Sequence, residues 1–133
     1  MAAVAEKPMI SIVDDDPAVR SALWRLMDTV GLVAETFASA EEFLASPSMS
    51  VTTCLILDVR MPGIDGLGLQ RRLREANWKI PIIFISAHAD EEARAEALEG
   101  GAVAFFAKPF RTEALLDAID AARGGRPPTP AGA

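Results

Sequence analysis

The apolar positions of the chain fall into five short, nearly continuous runs, and a segment with helical spacing follows each run. The first run is Met9–Val13, and after it the apolar residues return every three or four positions, as on one face of a helix. Pro17 is placed to begin this helix and Gly31 to end it. Apolar runs separated by helices are typical of parallel strands that are covered on both faces.

The later runs repeat this alternation and complete the prediction. The remaining predicted strands are Leu32–Phe37, Cys54–Leu57, Pro81–Ile85 and Ala102–Phe106. Ser39 and Glu42 have the spacing of a capping box, which predicts a short helix after the second strand. Residues 47–53 are predicted to form a loop. The pattern therefore predicts an α/β sandwich around a parallel sheet of five strands.

The length and composition favour one domain. The chain has 133 residues, and 50% of them are hydrophobic, which is enough for a single core. We predict that the domain spans residues 9–123, after an N-terminal extension of residues 1–8. Residues 124–133 are rich in glycine and proline and are predicted to form a tail or linker. Cys54 is the only cysteine, so no disulfide can form within the chain.

The charge balance restricts the partners. Nineteen acidic residues against thirteen basic ones give a net charge of -6, which disfavours nucleic acid or an anionic membrane as a direct partner. The first eight residues lack the pattern of a signal peptide, and there is no apolar run of about 18 residues. We therefore expect a soluble protein of the cytoplasm.

Polar side chains stand where four of the five predicted strands end, which is the edge at which open parallel sheets bind ligands. They are Asp14 and Asp15 after the first strand, Asp58 after the third, Ser86 after the fourth and Lys108 after the fifth. Asp16 precedes Pro17 and is interpreted as a helix N-cap. Four strands thus deliver carboxylates, a hydroxyl and an ammonium group to one edge.

These residue types indicate chemistry with a phosphoryl group. Carboxylates suit a hard cation such as Mg²⁺, whereas a lysine and a serine hydroxyl suit phosphate oxygens. The chain has no glycine-rich loop that would hold a nucleotide. A carboxylate can itself act as the nucleophile and form an acyl phosphate. Asp58, at the end of the third strand, is the candidate nucleophile.

Four segments of the chain match a known family in order and spacing. They are Ile12–Pro17 with Arg20, Leu57–Gly66, Ile85–Ala87 and Phe105–Phe110. On these residues the chain, from Met9 to Arg123, resembles the CheY-like receiver domain of bacterial response regulators and is most similar to FixJ-type receivers. The resemblance implies a flavodoxin-like fold with five βα units, three layers and the strand order 2-1-3-4-5.

The resemblance also implies the role of each site residue. Asp58 is expected to accept a phosphoryl group from a sensor histidine kinase, with Ser86 and Lys108 in contact with that group. The expected cofactor is Mg²⁺ or Mn²⁺. Its expected ligands are Asp14, Asp15, Asp58 and the backbone carbonyl of Arg60.

Further residues have expected roles by the same resemblance. Phe105 falls at the switch position together with Ser86, and the bond between Lys108 and Pro109 is expected to be cis. The side chains of Arg60 and His88 are candidate modulators of dephosphorylation. For His88 the alternative interpretation is an exposed loop residue.

The expected output is a change in the face formed by helix four, strand five and helix five. This change would control transcription through a linked effector domain, and phosphorylation is expected to favour a homodimer. The domain is expected to be a phosphoacceptor that promotes its own phosphotransfer and dephosphorylation rather than an enzyme acting on other molecules. The alternatives left open are a stand-alone receiver, a protein adaptor, a magnesium-dependent phosphohydrolase and a flavodoxin.

Overall fold

Five strands and five α-helices alternate along residues 9–87 and 91–124, which the computed structural model describes. The strands are β1 (Met9–Val13), β2 (Val33–Phe37), β3 (Thr52–Asp58), β4 (Ile82–Ser86) and β5 (Ala104–Ala107). The helices are α1 (Pro17–Thr29), α2 (Ala40–Leu44), α3 (Gly66–Glu75), α4 (Glu91–Glu99) and α5 (Thr112–Arg123). Within these residues no helix has both the length and the apolar character needed to cross a membrane.

All neighbouring strands are parallel, and their order in the sheet is β2-β1-β3-β4-β5. The chain leaves β1 toward β2 and then crosses back past β1 to reach β3. Right-handed crossovers in opposite directions place helices on both faces of a sheet. This topology confirms the predicted flavodoxin-like fold and puts a crevice at the carboxyl ends of β1 and β3.

The strand side chains alternate between two hydrophobic cores, one on each face of the sheet. In β3, Cys54 and Ile56 face one core, whereas Leu55 and Leu57 face the other. The first core includes buried residues of α1 and α5, and the second includes buried residues of α2, α3 and α4. Both faces of β3 are therefore dry, which explains why its sequence is continuously apolar from Cys54 to Leu57.

Local signals explain several helix starts. The Asp16 carboxylate accepts a hydrogen bond of 2.9 Å from the backbone N–H of Ala18, as predicted for an N-cap. The Ser39 hydroxyl accepts a bond of 3.1 Å from the N–H of Glu42, and the Glu42 carboxylate accepts one of 3.2 Å from Ala38. The predicted capping box is present, although its return bond reaches one residue farther than expected.

Two predictions differ from the structure by two residues or more, whereas the other predicted strand bounds lie within one residue of those observed. Residues 47–53, predicted as a loop, contain a 3-10 helix at Pro47–Val51, and β3 begins at Thr52. The Ser46 hydroxyl caps this 3-10 helix by accepting a bond of 3.0 Å from the N–H of Ser48. The fifth strand begins at Ala104, two residues later than predicted, because its pairing with β4 starts there.

Candidate functional site

The sheet register brings the predicted site residues to one edge. Val13 of β1 lies beside Leu57 of β3, so Asp14 and Asp58 follow at the same level. Asp58 is the partner of Ile85 in β4, and the next residue of β4, Ser86, is the partner of Ala107 in β5. Lys108 follows Ala107 directly. The three central strands, β1, β3 and β4, and the edge strand β5 thus end at a common crevice.

Asp14, Asp15 and Asp58 form an acidic cluster. One carboxylate oxygen from each residue can be chosen so that all three lie within 4.8 Å of one another. Asp14 is only 3% exposed, Asp58 is half-buried and Asp15 is exposed. Oxygen ligands that converge from one side, with an open side toward solvent, suit a cation that keeps several waters, as Mg²⁺ does. The cluster therefore fits a magnesium ion in its donor chemistry.

The cluster holds its carboxylates under mutual repulsion. Burial and the nearby charge of Asp14 raise the pKa of Asp58 to about 7, although the Arg60 backbone N–H, which donates to the carboxylate, and the Lys108 charge act to lower it. Burial also raises the pKa of Asp14, against the opposing effects of the Asp16 backbone N–H and Lys108. A bound cation would favour the charged forms of both groups.

Two loops support the cluster. In the loop between β1 and α1, a carboxylate oxygen of Asp14 accepts a hydrogen bond of 2.9 Å from the N–H of Asp16. The backbone N–H of Asp14 donates to the carbonyl of Phe37 in β2, at 3.1 Å. Asp14 is thereby fixed both by its own loop and by a neighbouring strand.

The loop between β3 and α3 is held by contacts that were not predicted from the sequence. The Glu41 carboxylate of α2 accepts a hydrogen bond of 3.2 Å from the N–H of Ile64. Gly66 donates its N–H to the carbonyl of Val59 at 2.9 Å, and a side chain at Gly66 would begin 2.1 Å from the carbonyl oxygen of Asp58. Gly66 already belongs to the family segment Leu57–Gly66, whereas no sequence signal pointed to Glu41.

Ser86 and Lys108 lie on the other side of the crevice. Ser86 is 1% exposed, and its carbonyl accepts a hydrogen bond of 2.8 Å from the backbone N–H of Lys108. The positive charge of Lys108 acts on both Asp14 and Asp58. The Lys108–Pro109 peptide bond is cis.

Two of the remaining predicted residues, Phe105 and Arg60, lie among the described residues. Phe105 is partly buried in β5, and its ring centroid lies 6.1 Å from that of Phe84 at an interplanar angle of 31°. The side chain of Arg60 is exposed. His88 lies outside the described residues, as do the predicted N-terminal extension and residues 125–133 of the predicted tail.

Comparisons with known proteins agree with this geometry. The sequence model of the response regulator receiver domain matches residues 10–120. The response regulator protein TodT of Pseudomonas putida is 53% identical over 114 residues, which cover 86% of this chain and 50% of TodT. The transcriptional regulatory protein TdiR of Thauera aromatica is 42% identical over 113 residues, which cover 85% of this chain and 50% of TdiR.

A solved structure shows the same fold. FixJ-N matches with a TM-score of 0.80 at 34% sequence identity, over 89% of this chain and 94% of FixJ-N. The doubly wound sheet with its acidic edge is thus that of a signalling domain of two-component systems. The chain belongs to the response regulator receiver domain family. It spans about half the length of TodT and TdiR.

Proposed function

We propose that the chain accepts a phosphoryl group on Asp58 from a sensor histidine kinase and that this modification switches its output face. The convergence of three carboxylates within 4.8 Å, under the charge of Lys108, is the observation that carries the proposal. Carboxylates that repel one another at such short range are expected at a functional site, here one that binds a cation together with a phosphoryl group.

Asp58 is the best nucleophile among the three carboxylates. Asp14 is almost fully buried, whereas Asp15 is exposed to water. Asp58 lies at the end of the central strand and is half-buried. In the proposed step a carboxylate oxygen of Asp58 attacks phosphorus in line, and the bond from phosphorus to the kinase histidine nitrogen breaks. The electron pair of that bond, and then a proton, go to the imidazole.

Asp14, Asp15, Asp58 and the backbone carbonyl of Arg60 are proposed to hold Mg²⁺ or Mn²⁺. The bound ion would supply charge neutralisation for the phosphoryl oxygens. Lys108 would supply a second positive charge, and the Ser86 hydroxyl would donate a hydrogen bond to the phosphoryl group. Arg60 and His88 would modulate the access of water to the acyl phosphate.

The switch follows from the added charge. A phosphorylated Asp58 attracts Ser86 and Lys108, and Phe105 then occupies the space that Ser86 leaves. Moving a two-state equilibrium from 1:99 to 99:1 requires roughly 5.5 kcal/mol of differential interaction, which a few charge-assisted hydrogen bonds can provide. The face formed by α4, β5 and α5 would change with this movement, and a homodimer would form through it.

The proposed output is transcription, through an effector domain that follows the linker at residues 124–133. The support is the similarity to TdiR, a transcriptional regulatory protein about twice as long as the matched segment. In this proposal the receiver domain comprises residues 9–123, acts in the cytoplasm and makes no direct contact with nucleic acid or membrane.

Intact mass spectrometry after incubation with acetyl phosphate or phosphoramidate tests the acceptor. The unmodified protein should gain one phosphoryl group only when Mg²⁺ is present, and Asp58→Asn should gain none. Asp16→Asn is the matched control, because asparagine is also a good N-cap and Asp16 lies outside the acidic cluster. A gain that persists in Asp58→Asn would contradict Asp58 as the acceptor. No gain in any protein would contradict the proposal as a whole and favour an adaptor that acts by protein contact alone.

A further inference from the structure

Arg20 in α1 reaches back to the loop that carries the acidic pair. Its guanidinium Nη1 donates a hydrogen bond of 2.7 Å to the backbone carbonyl of Asp14. Its own backbone N–H donates to the carbonyl of Asp16 at 3.0 Å, in the first turn of the helix. Arg20 is half-buried. Its two hydrogen bonds attach both its backbone and its side chain to the loop.

The contact acts on Asp15 through the rigidity of the peptide unit. The carbonyl of Asp14 and the N–H of Asp15 belong to one planar group, so fixing that carbonyl fixes the direction in which the chain enters Asp15. Asp15 is exposed, yet one of its oxygens stays within 4.8 Å of oxygens of Asp14 and Asp58. Like charges at this distance repel each other, so an orientation imposed by the backbone is needed to keep them together.

We propose that Arg20 is a positioning residue that sets the peptide plane between Asp14 and Asp15 and thereby preorganises the acidic cluster for a divalent cation. This inference rests on the proposed function, because it takes the cluster to be a cation site. Residues that orient metal ligands typically contribute 10-fold to 100-fold to metal affinity.

Arg20 can affect cation affinity in two ways, through its charge and through its hydrogen bond, and these two effects have opposite signs. A guanidinium near the cluster repels a divalent cation, so loss of its charge alone would strengthen cation binding. Loss of the hydrogen bond to Asp14 would instead let the peptide plane rotate and would weaken cation binding. The direction in which cation affinity changes when Arg20 is substituted therefore shows which of the two effects is larger.

The test measures Mn²⁺ binding to the whole chain from the electron paramagnetic resonance signal of free Mn²⁺. Arg20→Met should weaken Mn²⁺ affinity by about tenfold. Arg20→Lys keeps the positive charge and a hydrogen-bond donor but lacks the planar guanidinium group. Its Mn²⁺ affinity should therefore lie between that of the unmodified protein and that of Arg20→Met. Arg25→Met is the matched control, because Arg25 is an exposed arginine of the same helix. Its affinity should equal or slightly exceed that of the unmodified protein.

Amide hydrogen exchange in the metal-free proteins gives a second measurement. Arg20→Met should accelerate exchange at Asp16, whose N–H donates to the Asp14 carboxylate at 2.9 Å, and Arg25→Met should not. Equal or tighter Mn²⁺ binding by Arg20→Met, with exchange unchanged, would overturn the inference. If Arg20→Met does not fold, Arg20→Lys decides the question by the same two measurements. If the unmodified protein binds no Mn²⁺, the proposed function fails, whereas the exchange comparison still tests the effect of Arg20 on the loop.

Discussion

Replacing Asp58 by asparagine is expected to raise the free energy of unfolding of the metal-free protein above neutral pH. Burial and the charge of Asp14 raise the pKa of Asp58 from 3.8 to about 7, so its ionisation costs free energy in the folded state. At about 1.4 kcal/mol for each tenfold change in proton affinity, the full cost is roughly 4 kcal/mol. Because water screens a half-buried carboxylate, we expect about 2 kcal/mol.

The sign of the effect fixes its pH dependence. The pKa of Asp58 is higher in the folded protein than in the unfolded chain. Its contribution to the free energy of unfolding is therefore fully present below pH 3.8 and is lost as the pH rises to about 7. Asparagine stays neutral and does not pass through this loss. The advantage of Asp58→Asn should therefore be small in acid and should reach its full value above pH 7.

Urea unfolding followed by circular dichroism, in the presence of a chelator, measures this advantage between about pH 5 and pH 8. Asp117→Asn is the control, because Asp117 lies on the exposed side of α5 and outside the acidic cluster. Saturating Mg²⁺ should stabilise the unmodified protein and reduce the difference. Equal stability of Asp58→Asn and the unmodified protein at about pH 8, or an advantage that does not depend on pH, would show that ionised Asp58 does not destabilise the fold.

Two further predictions concern the loop between β3 and α3. Gly66→Ala places a carbon 2.1 Å from the carbonyl oxygen of Asp58 and should lower the free energy of unfolding by about 1 to 3 kcal/mol in a urea titration. In Gly68→Ala the added carbon would lie 3.1 Å from Oδ1 of Asp65, so the free energy of unfolding should change little. Equal losses of stability in the two variants would contradict this prediction. Glu41→Ala removes the acceptor of the Ile64 N–H and should accelerate amide exchange there and slow phosphorylation by acetyl phosphate. Glu41→Gln retains an acceptor oxygen and should stay close to the unmodified protein, so equal effects of both changes would contradict the role of this hydrogen bond.

Much of the fold was predictable because β3 and β4 contain continuous apolar runs, at residues 54–57 and 82–85. Leu55 and Leu57 serve one core while Ile56 serves the other, and this need for apolar residues on both faces produced the strand signal. The edge strand β5 is short and none of its residues is fully buried, so its apolar run did not define its start. Pairing with β4 decides that start, and pairing is not visible in a local pattern.

The acidic edge was predictable for a related reason. Parallel strands all end at one edge, so residues that follow them meet whatever their separation in sequence. The contacts that support the edge were not predictable in this way. Glu41 and Ile64 are 23 positions apart, on two segments whose approach depends on how α2 packs. The contact from Arg20 to the Asp14 carbonyl depends on a side-chain orientation that helical spacing alone does not specify.

The most direct test of the central claim identifies the phosphorylated residue. Phosphoramidate-treated protein is reduced with borohydride, which converts an aspartyl phosphate to homoserine, and peptide mass spectrometry then locates the conversion. The account predicts conversion at Asp58 and nowhere else, dependent on Mg²⁺. Conversion at Asp14 or Asp15, or a phosphoryl group found on His88 with no homoserine formed, would contradict it.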